Sequence, residues 1–165
     1  MKNTNKKGTV SVRHLTTAAI IAALYVVFTG LSAALGLASG AIQVRLSEAL
    51  TVLPYFTPAA VPGVTVGCLL ANLLTGAPLP DIIFGTLASF LGVLGASFLR
   101  KKKYLIALPT ILSNSVIIPL VLQYAYGVKD AFWFLFLTVG VGEVISAGLL
   151  GGLLLHFMQK QKLFR

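Results

Sequence analysis

QVRLSEALTVLPYFTPAAVPGVTVGCLLANLLTG, residues 43–76, is the stretch that decides the fold. Arg45 and Glu48 open an otherwise apolar segment, Pro54, Pro58 and Pro62 follow at four-residue spacing, and a segment rich in small residues closes on Asn72, Thr75 and Gly76. Proline lacks the N–H that continues a helix, so Pro54 and Pro58 end one helical piece around Thr57. Pro62 fits the first turn of the next, where a missing donor is harmless. The two pieces, about 41–56 and 59–75, fall short of the roughly 20 residues that span a bilayer. Charge and broken helix are tolerated at membrane depth only where protein or a water-filled cavity surrounds them. This stretch is therefore expected to wall a solute site, as two short spans or as a re-entrant hairpin.

The rest of the chain supports a membrane setting. Only 10% of its 165 residues are charged and mean hydropathy is +0.92, against roughly 25% charged residues in soluble domains. One domain, 1–165, is expected, an all-α six-helix bundle with spans at about 15–35, 41–56, 59–75, 81–99, 104–126 and 131–158. The last is longer than a crossing requires, so it should tilt or protrude. With the basic tail 1–14 placed inside, six crossings return the C-terminus inside. Lys2, Lys6, Lys7, Arg13, Arg100, Lys101, Lys102, Lys103, Lys160, Lys162 and Arg165 then face the cytoplasm, against Arg45 and Lys129 in the outer half. That asymmetry is the positive-inside pattern of a multi-pass cell-membrane protein. The net charge of +9 is thus topological rather than a nucleic-acid footprint, since no basic face is interleaved with aromatics.

The four acidic residues carry most of the information. Glu143 lies near the middle of span six, where insertion of an acid costs about 2.5–3.5 kcal/mol, so it must face a partner or a cavity. Glu48 is three residues from Arg45, close enough for a self-contained ion pair or for Arg45 to hold a solute-gripping carboxylate. Asp81 sits in the first turn of span four, at the positive end of the helix dipole. Asn114, near the middle of span five, and Asn72 offer both donor and acceptor to a heterocycle, or glue helices together. Gln123, Tyr126 and Trp133 cluster at the outer ends of spans five and six, as an aromatic belt or as a lid over a flat ligand. Ala18 and Ala22 form a smooth stripe on span one that packs internally or docks another membrane subunit. Cys68 has no second cysteine to pair with, and no Cys/His set has metal spacing. The sequence lacks G-x-x-x-x-G-K-[ST], H-E-x-x-H and G-x-S-x-G, so neither an ATPase nor one of the enzymes those motifs mark is expected.

Arg45-Leu-Ser-Glu-Ala-Leu, Leu53-Pro-Tyr-Phe-Thr-Pro, Pro62-Gly, Gly67-Cys-Leu-Leu-Ala-Asn, Gly76 and Leu79-Pro-Asp-Ile-Ile-Phe-Gly together resemble the QueT family. The resemblance covers nearly the whole chain and is densest over 44–85. It implies a substrate-binding S component of an energy-coupling factor (ECF) transporter, with six helices and both termini cytoplasmic. It implies uptake of a queuosine precursor, a 7-deazaguanine base such as a preQ-type base or queuine. ATP hydrolysis would fall to two ATPase subunits joined through a transmembrane coupling subunit, with no cofactor on this chain. The Ala18–Ala22 stripe looks like the alanine motif with which S components dock on that subunit. From the residues, the ligand set is Arg45, Glu48, Asn72, Asp81, Asn114, Gln123, Tyr126, Trp133 and Glu143. Another vitamin or nucleobase as cargo, or a non-transporting assembly subunit, fits the same composition.

Overall fold

Helix α1 (Val12–Ala34) carries no charge after Arg13, and its 23 residues reach about 35 Å, enough to cross the hydrocarbon core. The computed structural model describes residues 11–38 and 42–161. The basic residues of 1–10, residues 39–41 with the expected start of span two at 41, and 162–165 with Lys162 and Arg165 lie outside the described residues.

Span two is not a conventional α-helix. Leu46–Tyr55 winds as a 3₁₀ helix, and ten residues of this tighter coil cover only about 20 Å. Every side chain from Ser47 to Pro54 is buried. The segment is buried on all sides, so it forms the core around which the other helices stand rather than one wall among six. Its entry is held by side chains from distant helices. The Leu46 amide donates to Ser32 Oγ at 2.9 Å, and the Arg45 amide donates to Ser146 Oγ at 3.1 Å.

Helix α2 (Ala60–Leu74) starts after Pro58 with Pro62 in its first turn. It lies directly on α1. A Cβ on Gly63 would stand 2.8 Å from the Ala18 carbonyl oxygen, and one on Gly67 would stand 3.0 Å from the Ala22 carbonyl oxygen. The two backbones meet because these residues have nothing to interpose, as in small-xxx-small pairs of membrane helices. The two contacts advance together, so α1 and α2 run parallel and the 3₁₀ helix returns the chain between them.

Helix α3 (Leu79–Phe98) runs back along α2, and α4 (Leu108–Ala125) runs back along α3, with Ser113 Oγ donating to the Ala88 carbonyl at 3.0 Å. The last 29 residues of helix, Phe132–Lys160, comprise α5 (Phe132–Glu143), a π-helical segment (Val144–Leu150) and α6 (Gly151–Lys160). The extra length expected of span six is thus interrupted by a wide turn that begins directly after Glu143. Such turns recur at functional sites.

Among the described residues there is no strand, and four helices are long and apolar enough to cross a membrane: Val12–Ala34, Leu79–Phe98, Leu108–Ala125 and Phe132–Lys160. Helix α2, at 15 residues, is shorter. The main apolar core joins Ile21 and Tyr25 of α1, Leu50 and Leu53 of the 3₁₀ helix, Val64 and Cys68 of α2, and Val93 of α3.

Candidate solute site

Buried carboxyls from two distant segments line one hollow. Glu48 occupies the first turn of the 3₁₀ helix and is 1% exposed. Its Oε1 accepts hydrogen bonds from the Tyr25 phenol and, at 3.4 Å, from the Ser89 hydroxyl. Glu143 ends α5 and accepts a hydrogen bond from Asn114 Nδ2 at 2.9 Å. In each pair one oxygen is satisfied and another is not: Glu48 Oε2, Glu143 Oε2 and Asn114 Oδ1 are buried with no donor. A buried acceptor left in this state costs about 1–3 kcal/mol, and more when charged. Glu48, Asn114 and Glu143 line the hollow with Gln43, Arg45, Gly85 and Ser89, and its 20 Å³ is room for about one water.

A second hollow of 240 Å³ adjoins it, lined among others by Thr29, Arg45, Asn72, Thr75, Asp81 and Tyr126. Asp81, 4% exposed, takes the Tyr126 phenol on Oδ2 at 2.6 Å, while its Oδ1 is buried without a donor. Asn72 Nδ2 donates to the Asp81 carbonyl at 3.4 Å and so ties α2 to the start of α3. Arg45 lines both hollows. It shares the inner hollow with Glu48 and Glu143 and the outer one with Asp81.

Residues 15–160 match the family model described as QueT transporter. The chain belongs to the QueT transporter family. It is also 40% identical over 87 residues to a protein of Lactococcus lactis subsp. cremoris (strain MG1363) named queuosine precursor transporter QueT. That match covers 48% of this chain and 49% of the relative, so the chain spans about half the length of the curated protein it matches. No solved structure matches the chain.

Within this QueT-family chain, seven of the nine sequence-predicted ligand residues line one of the two polar hollows: Arg45, Glu48, Asn72, Asp81, Asn114, Tyr126 and Glu143. The other two lie elsewhere. Gln123 Nε2 donates to the Asp130 carbonyl at 2.9 Å and closes the loop between α4 and α5. Trp133 is 71% exposed and packs edge-on against Phe132 and Phe136, with ring centroids 5.3 and 5.9 Å away. It belongs to an outward aromatic cluster because the inward face of α5 is taken by Leu135, Val139, Gly142 and Glu143. Ala18 and Ala22 are also placed differently from the docking surface the stripe suggested. Both are buried against α2, whereas the neighbouring Ala19 and Ala23 are exposed. Tyr25 and Ser89, the partners of Glu48, were not singled out from the sequence. A mid-span tyrosine, whose hydroxyl needs a partner when buried, was the available signal.

Proposed function

We propose that this chain is the substrate-binding S component of an ECF-type transporter and that its cargo is a queuosine precursor, a 7-deazaguanine base. The observation that carries this reading is the set of three buried oxygens without donors, Glu48 Oε2, Asn114 Oδ1 and Glu143 Oε2, on residues around one hollow. Such a site is completed by a ligand rich in N–H groups. A guanine-type edge offers a ring N–H beside an exocyclic amine, and a carboxylate accepts the two as a pair. Membership of the QueT transporter family supports the same cargo.

Ligand pockets typically hold about 300–1,000 Å³, and the inner hollow has 20 Å³. Binding therefore requires the site to open. Arg45, in the wall common to both hollows, is the side chain whose movement would join them.

The chain crosses the membrane six times in this reading, with the 3₁₀ helix as the second, shortened passage and both termini cytoplasmic. The parallel contact of α1 with α2 and the eleven-to-two distribution of basic residues support it. Energy comes from two ATPase subunits through a transmembrane coupling subunit. The coupling subunit docks on the outward face of α1 that carries Ala19 and Ala23, since Ala18 and Ala22 are occupied by α2.

Isothermal titration calorimetry on the purified chain without ATP tests the cargo. Saturable one-to-one binding of a 7-deazaguanine base is expected, with adenine failing to compete. Absence of heat for every such base, from a folded sample, overturns the reading.

A further inference from the structure

A third hollow, a cleft of about 480 Å³, stands at the basic end of the bundle, away from the two polar ones. Its floor is Ile106 and Leu155, each 1% exposed. One wall is Ile111 of α4, and the other is Gly148 of the π-helical segment. No carboxylate or carboxamide lines it, so the acceptors on which the cargo reading depends are missing here. Among the described residues nothing packs into it from outside. A Cβ added to Gly148 would find its nearest neighbours 3.9 Å away, and one added to Gly152 would find none within 4 Å. The cleft is therefore an apolar groove left open on the flank of a membrane bundle, where acyl chains are the surrounding solvent.

Charge gives the mouth of this groove its chemistry. Lys103 and His156 line it, and Arg100, Lys101 and Lys102 directly precede Lys103. Lys103 Nζ donates to Gln159 Oε1 at 2.8 Å. That bond fixes the ammonium against α6, but a neutral amide leaves its charge uncompensated. None of the four acidic residues belongs to this end. Asp81 starts α3 and Asp130 follows α4, both at the opposite end, while Glu48 and Glu143 line the inner hollow. An apolar groove topped by uncompensated cations matches a bilayer molecule with an acyl chain and an anionic headgroup. Basic pockets between membrane helices bind such headgroups. A zwitterionic headgroup brings its own cation to the same place, and a free phosphate leaves the groove unfilled.

We propose that this cleft binds one anionic phospholipid, with an acyl chain between α4 and the π-helical segment and the phosphate on Lys103 beside His156. The proposal is independent of the cargo reading.

The purified full chain in detergent is titrated with dioleoylphosphatidylglycerol or dioleoylphosphatidylcholine, and bound lipid is counted by native mass spectrometry. The acyl chains are identical, so any difference reports the headgroup. The wild type is expected to hold one phosphatidylglycerol and to bind it at least about fivefold more tightly than phosphatidylcholine, the effect of one lysine beside an anionic lipid. Lys103→Gln is expected to erase that preference. Lys101→Gln, at an exposed position that does not line the cleft, is expected to keep it. Gly148→Leu fills the groove from a position with ordinary room for a Cβ, and is expected to weaken both lipids at least about tenfold. Equal affinity of the wild type for the two lipids overturns the proposal without any variant. An equal loss in Lys101→Gln and Lys103→Gln makes the attraction a diffuse property of the basic loop and overturns it as well. Full lipid retention by a folded Gly148→Leu puts the lipid outside the cleft, leaves the groove to another occupant such as a partner helix, and has the same consequence. If Gly148→Leu does not fold, the two lysine variants and the wild-type comparison still decide the matter.

Discussion

Replacing Glu143 by glutamine tests whether its buried carboxyl exists for a ligand or for the fold. Asn114 Nδ2 donates to Oε1 at 2.9 Å, and an amide oxygen accepts that bond equally well. The change falls on Oε2, which has no donor and becomes an NH₂ group facing the hollow. For the empty protein this exchanges an unmatched acceptor for an amide NH₂ and removes a charge whose insertion at mid-helix costs about 2.5–3.5 kcal/mol. Thermal stability should therefore hold or rise. For the ligand it replaces a charged acceptor with a donor, where a donor is already coming from the base. The loss is one charge-assisted hydrogen bond, about 1.5–3 kcal/mol, or a Kd raised about 10- to 150-fold. Calorimetry for affinity and tryptophan-fluorescence melting for stability are run on one preparation. A melting temperature that falls along with affinity would refute the reasoning, because it would make Glu143 a structural partner of Asn114.

Three further outcomes follow from named contacts. Tyr25→Phe removes the phenol that donates to Glu48 and leaves that carboxylate with Ser89 at 3.4 Å; it should destabilise the fold by about 1–3 kcal/mol in thermal melts. Gly142→Ala places a Cβ on the Gln43 carbonyl oxygen, whereas one at Gly140 meets Ser115 Oγ at 3.1 Å. Overpacking of this kind costs about 1–3 kcal/mol, so Gly142→Ala should melt well below Gly140→Ala in the same assay. Ala19→Trp and Ala23→Trp should stop uptake by the assembled transporter while sparing calorimetric binding, whereas Ala18→Trp should fail at folding because Gly63 and α2 occupy its space.

Much of this arrangement was legible because membrane burial makes polar residues expensive. Glu143 and Asn114 stood out as mid-span groups needing a partner, and they are each other's partner and both line the inner hollow. The prolines at 54, 58 and 62 marked the break between the second and third helical segments. The 3₁₀ winding was not legible, since a run of ten residues is too short for its period to distinguish one helix type from another. Its burial depends on helices that close around it only in three dimensions. The alanine stripe was ambiguous for a related reason. Spacing places Ala18 and Ala22 on one face, but only the approach of Gly63 and Gly67 says which neighbour that face meets. Trp133 followed the same pattern, with an aromatic at an outer helix end serving equally as belt or lid until the inward face of α5 was known.

The central claim is that the oxygens of Glu48 and Glu143 left without donors are the grip on a base. Native mass spectrometry tests it directly, on the wild-type chain and on the double variant E48Q/E143Q released from detergent after incubation with a 7-deazaguanine base. The account predicts one base bound per wild-type chain and none on a double variant that stays folded. Equal occupancy of the two proteins, or an empty wild type at saturating base, would contradict it.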